Sequence, residues 1–513
     1  MCLVAFTAGA QTMYEAISYS DYNYVGTARS MAMGNALTAV GGDPGSVGIN
    51  PAGSAVAGYS QITITPGLSI STMGAAYSAI GGSDVFGDVT KQRNTRFGFP
   101  NGGIVVNFDT GRKYGIRNMA FGVVINGTNT YNETFSTGGT QHDTSFMGES
   151  AYYTNGVNPD VLDGSSAYNS GVKWTDVLNY RTGLIAYEDQ YNDYIGSTEK
   201  RFPDETIGLC GPIYQEYYRQ RKGAKQDIIM NAAFNVNDNF YFGFNLGMPS
   251  IKYSESLNQH ESAVNFNDFE IEMDGNKTFW KEGRQRFTLN ANGSGIYAKA
   301  GFIWLPTKGL RIGAAIQSPT LITMNEEWMW DADCVFTHDS FSGETPEGRY
   351  SYDITTPFSY SLGAAYTFAN RGLISVDWER MDFKSMRFSE VESNWGSDPF
   401  EEDNRYIKNN AGVTNHLRIG AELLLTDALS LRAGYNFKNY RESSGVSDAT
   451  RALSCGLGYS SPRSFFCDFS LRYTRHPDTW FYPYENYIDN APSPEVALRK
   501  RTVDALVTFG WRF

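Results

Sequence analysis

TVDALVTFGWRF, residues 502–513, closes the chain and alternates in character residue by residue. Val503, Ala505, Val507, Phe509, Trp511 and Phe513 share one face. Thr502, Asp504, Thr508, Gly510 and Arg512 share the other, with Leu506 the single apolar exception. Side chains on a strand point to opposite faces in turn, so the stretch predicts a β-strand with one greasy and one polar side.

The same rhythm recurs upstream. Asn239–Gly247 sets Phe240, Phe242, Phe244 and Leu246 on one face, and Leu429–Phe437 sets Leu431, Ala433, Tyr435 and Phe437 against Ser430, Arg432, Gly434 and Asn436. Ser464–Thr474 repeats it with Phe465, Cys467, Phe469, Leu471 and Tyr473. Such segments pair through tight turns at Asp109–Arg112, Asn237-Asp238, Pro306–Gly309, Asn370–Gly372, Thr426–Ala428 and Ser461–Arg463. Gly and Asn tolerate positive φ, Pro presets φ, and Asp bonds its own backbone, which suits each to a turn. Between the hairpins the connections are long, roughly 78–102, 127–226, 247–294, 318–356, 381–413, 438–451 and 475–501. A first strand within 60–77, six hairpins and the terminal strand predict about 14 strands. The number is even, so both barrel ends fall on one side.

A soluble sandwich also alternates apolar and polar residues. Three features favour a lipid-facing wall instead. Every second connection is long, as in outer-membrane barrels, where periplasmic turns are short and extracellular loops long. Trp511 and the last residue, Phe513, lie on the outward face, the ending that barrel-assembly machinery reads. The N-terminus also reads as exported. Residues 1–10, MCLVAFTAGA, are apolar and end small-x-small before Gln11, which predicts a residual signal peptide, although the usual basic start is missing.

Composition agrees. Of 513 residues, 41% are hydrophobic, 14% aromatic and 19% charged, with 53 Gly, 33 Tyr and 32 Phe. No run approaches the ~18 apolar residues of a membrane helix. A net charge of −13 argues against a nucleic-acid partner. Five Cys are too few for a disulfide scaffold. Cys455 and Cys467 flank the turn at Ser460–Pro462 and could face each other or stay unpaired, and a Cys210–Cys334 pair is equally open.

Residues 26–53, GTARSMAMGNALTAVGGDPGSVGINPAG, differ from everything after them. Ala28–Val40 has helix-compatible spacing interrupted by Gly34, and Asp43-Pro44 reads as an N-cap followed by Pro at the first helical position. Small residues dominate, as a plug packed inside a barrel would need. The expected organisation is therefore a residual signal peptide over 1–10, a helical hatch over 11–58 and a transmembrane β-barrel over 59–513 with long extracellular loops, the largest at about 127–226.

On Gly26-Thr27-Ala28-Arg29, Met33-Gly34-Asn35-Ala36 and Asn50-Pro51-Ala52, together with the strand count and Phe513, the chain resembles the FadL/TodX-like family of outer-membrane transporters. The resemblance implies a 14-stranded barrel in the bacterial outer membrane with an N-terminal hatch, taking up long-chain fatty acids or aromatic hydrocarbons. Arg29, Asp43, Asn50, Pro51 and Ala52 would form the hatch and gate. The related PorV-like barrels share the Met-Gly…Asn-Pro-Ala segment and imply a different role, an interaction barrel whose loops bind a partner protein. Neither resemblance implies a cofactor, and partners would be outer-membrane lipid, a small hydrophobic ligand and the assembly machinery.

No catalytic constellation stands out. The five His (142, 260, 338, 416 and 476) lack metal-ligand spacing, and the Gly-rich stretch Asn292–Gly295 reads as a turn, as does Asn155-Gly156. An enzyme is not expected. His416, Arg418, Glu422, Arg432, Asp468, Arg472, Asp504 and Arg512 fall on the polar, lumen-facing sides of the last strands. They are expected either to pair with one another or to hold the hatch through Arg29 or Asp43. Trp174, Tyr217 and Tyr218 lie in a Tyr-rich loop, and Trp328 and Trp330 near the top of another strand. These aromatics suit a ligand-collecting groove at the loop mouth or, for the two Trp in particular, an interfacial girdle.

Overall fold

The computed structural model describes residues 12–82, 85–273, 275–368, 371–391, 399–445, 447–489 and 491–513. The predicted signal peptide over 1–10, Gln11 and the turn residue Asn370 lie outside the described residues. Fourteen strands make the wall. They are β1 (Gln61–Ser78), β2 (Thr90–Asp109), β3 (Ile116–Thr130), β4 (Ile213–Val236), β5 (Phe240–Ala263), β6 (Asn276–Thr307) and β7 (Leu310–Gln317, continued by Leu321–Phe336). The second half comprises β8 (Gly348–Thr355, continued by Ser359–Phe368), β9 (Gly372–Asp382), β10 (Val413–Leu424), β11 (Leu429–Arg441), β12 (Ser447–Ser460), β13 (Phe465–Phe481) and β14 (Glu495–Arg512).

Each strand pairs antiparallel with its chain neighbour, and β14 returns to β1 with Gln61 opposite Arg512 and Ser78 opposite Glu495. Phe513 finishes the seam, its backbone exchanging hydrogen bonds with Ser60 (3.0 and 3.2 Å). Closure joins the first strand to the last, as a bilayer demands of a sheet. The tight turns fall where the sequence predicts them. Asn237 and Asp238 both have positive φ (55° and 59°) in the three-residue loop between Val236 and Phe240.

The outward face carries exposed apolar side chains on every part of the wall, among them Ile64, Phe244, Ile316, Leu362, Ile374, Leu431, Leu457 and Val503. The inward face of β14, by contrast, buries Asp504 and Thr508. Among the described residues no helix is long and apolar enough to cross a membrane.

Several expected loops are strands instead. β4, β5 and β6 rise far past the bilayer and take up 213–226, 248–263 and 276–295, so the largest connection shrinks to about 142–212. Asn292–Gly295, expected as a turn, lies inside β6, paired with both β5 and β7. The four described Cys are free, and Cys467 faces Tyr459 while Cys455 faces Leu471, which removes the cross-hairpin pairing. Cys334 is buried in the apolar cluster against which Cys210 packs, each as a small hydrophobe.

Candidate functional site

Residues 12–57 run through the inside of the barrel. Thr12 and Glu15 cap the first helix, α1 (Met13–Ser20), reciprocally through Thr12 N to Glu15 Oε2 (3.1 Å) and Glu15 N to Thr12 Oγ1 (3.3 Å). The second helix, α2, covers only Ala28–Ala32 rather than the expected Ala28–Val40, because Gly34 and Asn35 both turn left-handed (φ +61° and +57°). Two short 3₁₀ helices, Pro44–Ser46 and Pro51–Val56, share one recipe. Asp43 accepts from Gly45 N ahead of Pro44, and Asn50 accepts from Ala52 N ahead of Pro51.

Small residues let this plug lie against the wall. Gly301, Gly313, Gly420 and Gly434 point inward, and a Cβ on them would collide with Asn50, Thr38, Met33 and Gly34 respectively. At Gly313, Gly420 and Gly434 the contact is backbone against backbone and at Gly301 it is with the Asn50 side chain, and Met31, Ala32, Met33, Ala36 and Leu37 are completely buried.

Charged side chains fasten what the glycines admit. Arg29 grips Glu422 with two hydrogen bonds (2.9 and 3.1 Å); Glu422 also accepts from Arg432 (2.6 Å), which reaches on to Asp468 (2.5 Å). Arg472 pairs with Asp504 (2.9 Å) and donates to the Tyr24 carbonyl (3.1 Å). Of the eight lumen residues, Glu422, Arg432, Asp468, Arg472 and Asp504 pair among themselves, and Glu422 and Arg472 also bond the plug, whereas His416, Arg418 and Arg512 pair with none of the eight. Among the described residues Asp43 has no ion-pair partner in the wall; Thr27 Oγ1 (2.8 Å) and Gly45 N satisfy it within the plug. Asn50 Nδ2 donates to the Thr38 carbonyl (2.7 Å) and to the Phe302 carbonyl of β6 (3.0 Å). Pro51 and Ala52 pack over β4 and β5, where Asn231 Nδ2 takes the Pro51 carbonyl (3.0 Å).

Arg418 is fully buried, pairs with Glu379 (2.8 Å) and lies over the Tyr24 ring, while His416 meets Asn436 (3.1 Å). Arg512 sits at the foot of the wall on Ser460 Oγ (2.9 Å), between the rings of Tyr59 and Phe466. Sequence reasoning missed a second set of fasteners. Lys225 donates to the Tyr19 carbonyl (2.8 Å), Lys299 to Gly48 (2.8 Å), Arg311 to Val40 (2.8 Å) and Lys438 to Tyr22 (2.9 Å). For Lys225, Lys299 and Arg311 the acceptors are backbone carbonyls, which no residue pattern reports, while Lys438 also forms an ion pair with Asp21 of the plug.

One stretch of wall is incomplete. Between β1 and β2 the register steps from Thr65–Asn101 to Gly67–Gly98, a bulge that contains Pro66 and Pro100. Proline brings no N–H to a ladder, and β2 stops pairing with β3 at Asn101–Asn126. Above that rung, β3 offers its carbonyls to the plug: Asn23 N donates to Thr128 O (2.6 Å) and Val25 N to Gly127 O (3.1 Å). A cavity of about 190 Å³ lies at this level. Gly67, Leu68, Gly98, Phe99, Pro100 and Gly127 line its wall side, and Asn23, Tyr24, Val25 and Asn35 its plug side. Arg472, Lys438, Lys500, His416, His476 and Asp504 line the rest.

Among solved structures the chain is similar to a Pseudomonas aeruginosa FadL homologue, with a TM-score of 0.52 and 13% identity over 96% of this chain and 99% of that one. The chain has the FadL fold. It is an outer-membrane β-barrel with an N-terminal plug. The P. putida toluene transporter TodX (TM-score 0.48, 13% identity, 96% and 99% covered) and the Ralstonia pickettii toluene transporter TbuX (0.44, 15%, 97% and 100%) are more distant in shape. No protein-family model and no curated protein sequence matches the chain.

In this FadL-fold barrel the loop aromatics do not form one surface. Tyr217 is buried against Tyr77 and Phe481, and Tyr218 is exposed on the outside of β4. Trp174 opens a loop helix, Trp174–Arg181, and donates to the Tyr168 carbonyl (2.9 Å). Trp328 and Trp330 pack against the interior cluster, Trp330 with its ring 4.6 Å from that of Phe287, so the girdle reading does not hold for them. Their alternation with outward Glu327 sets them inward, above the bilayer. Trp511 and Phe513 are exposed on the outward face at the barrel's foot.

Proposed function

We propose that this barrel admits small amphipathic molecules with an apolar body and an anionic end, long-chain fatty acids before aromatic hydrocarbons, by passive diffusion gated by the plug. The observation that carries this reading is the coincidence of three features at one level: the missing β2–β3 rungs, the plug backbone seated on β3 through Asn23 and Val25, and the cavity between them. An apolar chain lying along Leu68, Phe99 and Pro100 would sit beside lipid, while Arg472, Lys438 and Lys500 favour a negative end inside. Releasing Asn23 and Val25 would open the cavity toward the wall. The Pseudomonas aeruginosa FadL homologue shares the architecture, which supports a role in uptake.

Uptake of labelled oleate and labelled toluene by cells carrying the barrel tests the proposal; oleate transport is expected to exceed that of vector controls by the larger margin. A chain lacking residues 11–52 should form an open, ion-conducting pore in planar bilayers. Equal conductance with and without that segment would defeat the plug.

A second reading rests on the loop cap. Ala151, Leu162, Val177, Ile185 and Tyr194 give residues 142–212 an apolar centre of their own, with Tyr152, Tyr153 and Tyr191 exposed around it. A folded cap of this kind suits a partner protein, and a stoichiometric partner recovered from outer membranes would favour that role.

A further inference from the structure

Four arginines stand side by side on the outside of the wall. The register aligns Arg451 with Arg475, Arg475 with Arg501, Arg501 with Thr72, and Thr72 with Arg93, one row across β12, β13, β14, β1 and β2. All four arginines are exposed. The next outward row adds Arg499 and Lys91, both aligned with Gly74. Directly opposed like charges in a ladder repel, so such a row costs stability unless something negative lies on it. Among the described residues only Arg499 of these six has an ion-pair partner, Asp478 at 3.3 Å.

The other side of the barrel shows the usual solution. There, outward Arg286 is aligned with Asp331 (2.8 Å) and Arg349 with Glu327 (3.5 Å), cation opposite anion. The unneutralised row also lies at a particular height. Arg501 is about eleven residues up β14 from Arg512, roughly 36 Å of strand and, at a tilt of roughly 40°, about 28 Å above the foot. An outer-membrane barrel's apolar band is about 25 Å tall, so the arginines sit at its outer rim. Immediately below them the aligned residues are Leu453, Tyr473, Val503 and Ile70.

We propose that the Arg93–Arg501–Arg475–Arg451 row binds the phosphates of an acylated, phosphorylated glycolipid of the outer leaflet, whose acyl chains lie on the apolar rows beneath. Guanidinium groups hold phosphate oxygens in bidentate fashion, and four abreast on a surface match a head group with more than one phosphate. The site is separate from the cavity, so its failure leaves the transport reading untouched.

The test uses the whole barrel in a neutral maltoside detergent, titrated with diphosphoryl lipid A and followed by native mass spectrometry. The variant Arg93→Gln/Arg451→Gln/Arg475→Gln/Arg501→Gln is expected to lose at least about tenfold in affinity, since each interfacial cation contributes about 1 kcal/mol, or about fivefold. Arg286→Gln/Arg349→Gln should bind as the parent does. Heat-modifiable migration checks folding, and Arg475→Gln alone, with a loss of about fivefold, serves if the fourfold variant does not fold. Undiminished binding by the folded variants would overturn the proposal. So would displacement of the lipid by inorganic phosphate as effective as by lipid A itself, since the ligand would then be a free anion.

Discussion

Arg29 of the plug and Glu422 of β10 are joined by two parallel hydrogen bonds, 2.9 and 3.1 Å long, and Glu422 is shared with Arg432. The pair is largely buried, with side-chain exposures of 20% and 15%, so removing one partner strands charge in a poorly solvated place. Loss of a fully buried partner costs about 3–5 kcal/mol, and residual solvent here reduces that to about 1–3 kcal/mol. Arg29→Ala should loosen the plug without unfolding the wall. Hydrogen exchange over 26–53 should accelerate and bilayer recordings should show more frequent openings. Unchanged exchange would mean that the clasp is idle.

The glycines make a complementary prediction. Gly301 faces Asn50 and Gly434 faces Gly34, with no room for a side chain at either. Gly301→Val and Gly434→Val add methyl groups on the lumen side, where strand pairing is unaffected but the plug must move. Both variants should keep heat-modifiable barrel migration while residues 12–58 become open to protease. A plug as resistant as the parent's would show that the close approach is not needed to hold it.

Lipid is what made the wall legible. Where a strand crosses hydrocarbon, one face must be apolar, and Phe240–Leu246 or Val503–Phe513 announce it by alternation alone. Above the bilayer both faces of a strand can be polar. Gln215-Glu216-Tyr217-Tyr218-Arg219-Gln220-Arg221 runs in β4 with no apolar face, and the sequence therefore reads as loop. The plug was legible in its Asx-Pro caps at Asp43 and Asn50 but not in its fastening. Arg29 has a carboxylate partner that a polar strand face can suggest; Lys299 and Arg311 bond carbonyls of Gly48 and Val40, which every residue possesses. The arginine row was equally hidden, because 93, 451, 475 and 501 become neighbours only through the register of five strands.

The loop cap should be sensitive to pH. Glu199, in the cap, accepts hydrogen bonds from Tyr487 Oη (2.8 Å) and Gly196 N (3.1 Å), and burial pushes its carboxyl up to about 7 from 4.5. A raised value means that the docked cap favours the protonated acid while the undocked cap ionises first. Docking is therefore fully stable below pH 4.5, weakens as pH rises toward 7, and is level beyond it. The full span is on the order of 3 kcal/mol. Proteolysis of 142–212 should be faster at mildly alkaline than at mildly acid pH, and Glu199→Gln should reduce the slope, with Glu149, Asp176 and Glu261, also raised by burial, keeping the rest. Faster cleavage in acid would contradict the sign.

Pro100 bears on the route itself. Its ring removes an N–H at the level where β2 leaves β3, and with Pro66 it occupies the bulge that redirects β2. Pro100→Val returns the donor and a residue suited to a strand, so the ladder can extend at least one rung toward Gly127, which already approaches Pro100 closely. Added rungs would compete with Asn23 and Val25 for β3 and narrow the cavity on its lipid side. If molecules leave sideways, oleate uptake should fall several-fold in Pro100→Val while the barrel gains stability and ion conductance stays the same. If they pass straight down past Arg29 and Asn50, uptake should be unaffected by Pro100 and should rise instead in Arg29→Ala. The two variants measured together therefore separate a lateral exit from an axial one, and uptake unchanged in both would exclude the cavity from the path.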